Sequence, residues 1–127
     1  MPSPTNSRPL MQFVLLEGIH PNAVDLLRSS GLGDVVQDAH ALQGAELARA
    51  LAGAHVLGLR SRTQLTADVL AQAPKLLAVG AFCIGTDQID LQAAALHGVP
   101  VFNAPFSNTR SVAELVLAEV VLLLRGI

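Results

Sequence analysis

The sequence predicts an α/β fold of the flavodoxin-like type, with a parallel sheet of about five strands flanked by helices. The chain has 127 residues, of which 51% are hydrophobic and 14% charged. This composition suits one domain with a substantial core and excludes a disordered chain. Short apolar runs alternate along the chain with amphipathic stretches of about ten residues, which is the pattern of βαβ units. We therefore expect a single domain that ends in a long apolar helix.

The strands are predicted from five apolar runs, at residues 13–16, 35–36, 55–59, 76–79 and 99–102. The first run, Phe-Val-Leu-Leu, is apolar without a break. Such a run is typical of a strand that is covered on both faces, as in parallel sheets.

Helix signals lie between these strands. Pro21 stands where a first helix would begin, and Gly31 ends it. Apolar residues at helical spacing predict a second helix over 43–51. Thr66 and Asp90 are the expected N-caps of the third and fourth helices.

The last helix has few polar residues. Residues 111–114, Ser-Val-Ala-Glu, form a capping box that predicts its start. Residues 112–124 contain only Glu114 and Glu119 as polar side chains, and this segment is shorter than the roughly 20 residues that span a bilayer. A helix that is apolar nearly all round must be covered on most sides. We expect it to contact another domain or subunit, the alternatives being a core helix of this domain or an aggregation-prone end.

The start of the chain and its cysteine content indicate a cytoplasmic location. Residues 1–12 contain one Arg and no apolar stretch, so we interpret them as a disordered leader rather than a secretory signal. Cys83 is the only cysteine and cannot form an internal disulfide, which suits a reducing compartment.

Several function classes are disfavoured by composition and motifs. The net charge is −2, and there is no Trp or Tyr to stack on bases, so nucleic acid is not an expected partner. No G-x-G-x-x-G follows a strand, and the four histidines lack metal-ligand spacing, so no metal is expected. A receiver domain would need paired acids after the first strand, where Glu17 stands alone.

Polar loops follow the third, fourth and fifth predicted strands, and parallel strands bring such loops to one edge of the sheet. In the first loop, Arg60 and Arg62 are two residues apart and point the same way if the backbone is extended. Their guanidinium groups suit carboxylate or phosphate, and Ser61 adds a neutral donor. Gly85, after the fourth strand, suggests a turn with main-chain N–H groups facing an anion. The alternatives are two solvated arginines and a plain strand-to-helix turn.

Four segments carry a resemblance to a known family. They are residues 15–20 (LLEGIH), 58–63 (GLRSRT), 82–86 (FCIGT) and 101–115 (VFNAPFSNTRSVAEL). On these segments the chain resembles the D-isomer-specific 2-hydroxyacid dehydrogenases, most of all the bacterial serine-pathway enzymes. The resemblance implies oxidation of 3-phosphoglycerate by hydride transfer to NAD, the first step of L-serine biosynthesis.

The resemblance also implies roles for single residues. Arg60 and Arg62 match basic positions that meet the substrate's phosphate or carboxylate. Ile84 and Gly85 match the loop that holds the substrate carboxylate and approaches the nicotinamide, with Ile84 on the cofactor side. Asn108 matches a polar position at the cleft between two domains.

The sequence departs from the family in the loop that follows the fourth strand. Many relatives carry an Arg and a Gly-x-Gly there, where this chain has Ala81 and Cys83. Anion binding should therefore depend more heavily on Arg60 and Arg62.

The resemblance further implies the domain organisation. Residues 13–107 match the N-terminal part of the substrate-binding domain, and residues 108–127 match the crossover helix toward a nucleotide-binding domain. NAD would bind mainly to that absent domain, and the family's catalytic Arg, Glu and His would lie beyond residue 127. We expect this chain by itself to be inactive, and the 112–124 helix to contact the missing domain or a second copy. The alternatives are a stand-alone module that binds an anionic metabolite and dimerises, or one half of a split dehydrogenase.

Overall fold

The computed structural model describes residues 11–103 and 109–125, in which five strands alternate with five helices. The elements are β1 (Met11–Leu15), α1 (Pro21–Ser30), β2 (Gly33–Gln37), α2 (Gly44–Leu51), β3 (Val56–Leu59), α3 (Ala67–Ala71), β4 (Ala78–Ala81), α4 (Leu91–Leu96), β5 (Val101–Asn103) and α5 (Thr109–Arg125).

All described strand pairs are parallel, and the strand order is β2-β1-β3-β4-β5. This is the order of flavodoxin-like sheets, so the predicted five-stranded parallel α/β fold is confirmed. The strand order changes direction at β1, which pairs with β2 on one side and with β3 on the other. The carboxyl ends of β1 and β3 therefore lie side by side, where such sheets bind ligands.

The predicted helix signals agree with the structure. Pro21 is the first residue of α1, and Gly31 ends that helix with a left-handed φ of 71°. The Thr66 hydroxyl accepts a hydrogen bond of 3.3 Å from the Val69 N–H, and the Asp90 carboxylate accepts one of 2.9 Å from the Ala93 N–H.

Several predicted boundaries differ from the structure: the strands predicted at 13–16, 35–36, 55–59 and 99–102 are observed at 11–15, 33–37, 56–59 and 101–103. Met11 and Gln12, expected in the leader, already pair with β2. β4 starts at Ala78 rather than at residue 76, because the Leu76 N–H bonds back to Ala73 and closes the turn after α3. α5 starts at Thr109, before the capping box, because a Ser at that place does not stop a helix from extending toward its N-terminus.

Helices cover both faces of the sheet and form two core clusters. Alternate residues of β1 point to opposite faces, so Val14 belongs to one cluster and Phe13 to the other. The first cluster includes buried side chains from α2, α3 and α4, and the second includes buried side chains from α1 and α5.

One stripe of α5 packs against the rest of the protein. Val116, Val120 and Leu124 are four residues apart and buried, and the helix contacts α1, β4 and β5. Leu122 is 72% exposed and Ala118 is also exposed. This exposure contradicts the alternative that α5 is a core helix buried on all sides. None of the described helices combines the length and apolar character needed to cross a lipid bilayer.

Candidate anion-binding site

The carboxyl end of the sheet brings together the loops that follow β1, β3 and β4. Glu17 follows β1, and its side chain is buried. Its backbone φ is 64°, a value that residues other than glycine rarely adopt. Its carboxylate accepts hydrogen bonds from the N–H groups of Arg60, Arg62 and Thr63, at 2.8, 2.9 and 3.0 Å. The loop after β3 is therefore folded around the Glu17 carboxylate.

The carboxylate of Glu17 is charged at neutral pH. Burial raises the pKa of a carboxyl group, but the hydrogen bonds from the 60–63 main chain outweigh it and hold the pKa of Glu17 below its ordinary value of 4.5. The Nε atom of Arg62 lies 4.0 Å from Oε1 of Glu17. The site thus contains one buried negative charge close to the exposed guanidinium group of Arg62.

Both arginine side chains are exposed, that of Arg62 to 72%. This exposure fits the predicted anion-binding role and also the alternative of two solvated arginines. Their convergence on a single anion stays a prediction.

Two glutamine side chains hold the same loop through its carbonyl oxygens. Gln43 donates to the Arg62 carbonyl at 2.8 Å and accepts from the Gln64 N–H at 3.0 Å. The buried Gln88 donates to the Arg60 carbonyl at 2.8 Å. Main-chain hydrogen bonds from Leu65 to Gln88 and from Asp90 to Leu65, both 2.9 Å, also join this segment to the loop after β4.

The loop after β4 has its own internal hydrogen bonds. The half-buried Cys83 donates to the Gly85 carbonyl at 3.1 Å and accepts from Gln88 at 3.3 Å. Asn103, at the end of β5, donates to the Ile84 carbonyl at 2.8 Å. Cys83 therefore stabilises the loop, where relatives are expected to have glycine.

A pocket of about 420 Å³ lies between the loops after β3 and β4. Its lining residues are Ser61, Gln64, Cys83, Ile84, Gly85, Asp87 and Gln88. Ser61, Ile84 and Gly85 line this one pocket, and they come from two loops that were predicted to meet at one edge of the sheet. Arg60 and Arg62 are not among the lining residues, so they could meet only a ligand that extends beyond the pocket. Asn108 lies outside the described residues.

Gly85 keeps one side of this pocket open. A Cβ atom at Gly85 would have no other atom within 4 Å, so the fold itself does not require glycine there. Glycine leaves the main chain here without a covering side chain, and the predicted approach of its N–H groups to an anion stays a prediction.

Other candidate ligands and bases lie elsewhere or have structural roles. Nδ1 of His20 caps α1 by accepting from the Asn22 N–H, and Nδ1 of His55 accepts from the Gln12 N–H. Within residues 11–103 and 109–125, no group of three or more His, Cys, Asp or Glu side chains could hold a metal ion.

Sequence reasoning missed Glu17, Gln43 and Gln88 as parts of the site. From the sequence, Glu17 is a lone acid after the first strand, and the two glutamines belong to no motif. Two signals pointed to Glu17. It lies in the 15–20 segment that carries the family resemblance, and it follows β1 by two residues, which becomes informative once β1 is known to lie beside β3.

Comparison with known proteins assigns the family. The model of the D-isomer specific 2-hydroxyacid dehydrogenase catalytic domain matches residues 13–120. Proteins named D-3-phosphoglycerate dehydrogenase from Haemophilus influenzae and Escherichia coli K12 are 56% and 55% identical over 117 residues, or 92% of this chain. The chain spans only 28% of their length.

A solved structure agrees with this match. It is an NAD-binding protein from Polaromonas sp. JS6 66, assigned to the same dehydrogenases, with a TM-score of 0.70 and 26% identity. The match covers 77% of this chain and 31% of that one. This chain belongs to the D-isomer specific 2-hydroxyacid dehydrogenase family, whose catalytic-domain model matches residues 13–120.

Proposed function

We propose that this chain is the substrate-binding part of a cytoplasmic, NAD-dependent dehydrogenase that oxidises 3-phosphoglycerate in the first step of L-serine biosynthesis. The names of its 55–56% identical relatives support this assignment. The observation that carries it is the loop held by Glu17, which presents Arg60 and Arg62 beside a pocket at the carboxyl end of the sheet.

The chemistry of the substrate suits these groups. 3-Phosphoglycerate carries a phosphate and a carboxylate, and guanidinium groups bind both through paired, charge-assisted hydrogen bonds. We assign Arg60 and Arg62 to one anionic group, and Ser61 with the open main chain at Gly85 to the other. Asn108 is assigned to the same site from its position in the sequence alone.

The part of NAD that fits this chain is the nicotinamide. Ile84 lines the pocket and is 54% exposed, so it offers an apolar surface to the ring beside the open main chain of Gly85. The sequence contains no G-x-G-x-x-G turn for the cofactor's phosphates, which we assign to a separate nucleotide-binding domain. When bound, NAD supplies the hydride acceptor.

The chain itself binds and orients substrate. Oxidation of a hydroxyl group also needs a base to remove its proton. No histidine is among the residues that line the described pocket, and we assign the base to the part of the enzyme outside this chain. The isolated chain is therefore expected to be inactive.

Calorimetry with the 127-residue chain tests the binding role. We expect 3-phosphoglycerate to bind, and Arg60→Ala and Arg62→Ala each to weaken binding about tenfold or more, because each removes a charge-assisted contact. Arg49→Ala, which removes an exposed Arg from α2, is the matched control. Wild-type affinity in both loop variants would contradict the assignment.

A second function is favoured by the exposed side of α5. Leu122 is 72% exposed on a helix that already packs one stripe against the protein. A module that binds an anionic metabolite and dimerises through α5 would use the same arginines, and half of a split dehydrogenase would bind a separate nucleotide domain there. Sedimentation of the chain, with and without 3-phosphoglycerate, distinguishes the two: the dimerising module is expected to be a dimer, and half of a split dehydrogenase is expected to be a monomer.

A further inference from the structure

Glu17 is a buried carboxylate in an unfavourable backbone conformation. Burying a carboxylate is costly unless its oxygens are hydrogen-bonded, and a left-handed φ at a residue other than glycine adds strain. Both features are present at Glu17, which is 6% exposed with a φ of 64°. They are compensated here by three main-chain donors from one loop.

The main-chain groups of Arg60 and Arg62 make the same two kinds of hydrogen bond. The N–H groups of Arg60 and Arg62 both donate to Glu17, at 2.8 and 2.9 Å. Their carbonyl oxygens both accept from glutamine side chains, Gln88 and Gln43, each at 2.8 Å. Arg60 and Arg62 lie beyond the end of β3, and side chains bind both the N–H and the carbonyl group of each.

We propose that Glu17 is a positioning residue, which holds the 60–63 main chain so that Arg60 and Arg62 extend toward the anion from fixed points. The inference rests on the proposed function of these arginines. Glu17 itself is buried beneath the loop and does not contact the substrate.

A positioning role and a purely electrostatic role predict opposite results. Glu17 is negative and lies 4.0 Å from Arg62, so neutralising it would strengthen anion binding if only its charge mattered. A Gln at this position keeps the shape but lacks the charge, and its NH₂ group cannot accept from a main-chain N–H. If positioning dominates, Glu17→Gln weakens anion binding even though it removes a negative charge from the site.

The test uses the 127-residue chain with inorganic phosphate and 3-phosphoglycerate as probes. In Glu17→Gln we expect the amides of residues 60, 62 and 63 to exchange with solvent about tenfold faster or more, and 3-phosphoglycerate and phosphate to bind about fivefold more weakly. Glu17→Asp keeps the charge but is one methylene shorter, and we expect smaller changes in the same direction. Leu27→Ala, which truncates a buried side chain of α1, is the control for lost stability and should leave these amides protected.

The outcomes separate this inference from the proposed function. Equal or tighter anion binding by Glu17→Gln, or unchanged exchange of the three amides, would overturn the positioning role. Faster exchange in Leu27→Ala at the same three amides would overturn it too, because stability alone would then explain the effect. A wild-type chain that binds neither probe would refute the proposed function, while amide exchange would still decide whether Glu17 holds the loop.

Discussion

The buried amide of Gln88 donates a 2.8 Å hydrogen bond to the carbonyl oxygen of Arg60 and so joins the loops after β4 and β3. These two residues are 28 positions apart in the chain. The pocket lies between the same two loops, so its shape depends on this contact.

Replacing Gln88 by Met should destabilise the protein by about 1–3 kcal/mol, because the Arg60 carbonyl loses its donor in a partly buried setting. Urea unfolding measures this change. Gln72→Met removes a comparable but exposed side-chain hydrogen bond, to the Asp68 carbonyl, and should change the free energy of unfolding by less than about 0.5 kcal/mol. Equal losses in the free energy of unfolding would show that the hydrogen bond from Gln88 to Arg60 contributes no more to stability than an exposed one.

Stability should fall in acid partly through Glu17. Its folded pKa is below the ordinary value of 4.5, so ionised Glu17 stabilises the fold above that pH, and this contribution is lost as pH falls through the lower folded pKa. In Glu17→Gln the contribution is absent at every pH. The difference in the free energy of unfolding between wild type and Glu17→Gln should thus shrink below pH 4.5, as urea titrations across that range would show.

The control for this pH dependence is Asp38→Asn. The pKa of Asp38 is also lowered, by hydrogen bonds from His40, but the Asp38 side chain is 43% exposed and its interactions are screened by solvent. A larger acid-dependent difference for Asp38→Asn than for Glu17→Gln would contradict the assignment.

Gly80 allows α5 to pack closely on β4. A Cβ atom there would lie 2.7 Å from Cγ1 of Val116 and 3.1 Å from Cε1 of Phe82. Gly80→Ala should therefore destabilise the fold by about 1–3 kcal/mol, measured by thermal or urea unfolding.

Two further variants check the cause of that loss. Gly85→Ala, where a Cβ meets no atom within 4 Å, should leave stability unchanged within about 0.5 kcal/mol. Adding Val116→Ala to Gly80→Ala should cost less than the two single changes together, because Val116 provides the clash. Additive losses would mean that the α5 contact is not responsible.

Leu122 should belong to a contact surface rather than to the core. Because its side chain is 72% exposed, Leu122→Lys should change the free energy of unfolding by less than about 0.5 kcal/mol. Val120→Lys should unfold the protein, since Val120 is 3% exposed. Circular dichroism melting tests both changes, and sedimentation should show less self-association for Leu122→Lys. A large stability loss at Leu122 would refute the surface assignment.

The short-range features were predictable because they depend on neighbouring residues. Thr66 and Asp90 each cap a helix by accepting a hydrogen bond from the N–H group three residues later. Gly31 ends α1 through its own backbone conformation. Boundaries that depend on contacts with other elements were less accurate. The start of β1 is an example, since Met11 and Gln12 join that strand by pairing with β2.

The sequence by itself determined the strand and helix alternation, the parallel sheet, the arginine-bearing loop and the family resemblance, since all are written in local patterns and short motifs. Only the tertiary structure decided that Glu17 lies beneath that loop, 43 residues from Arg60, and that Gln88 joins the loop to the next one. The physical reason is strand order. Because β1 pairs with β3, the Glu17 carboxylate beyond the end of β1 lies close to the main-chain N–H groups beyond the end of β3. No pattern within either segment predicts this contact.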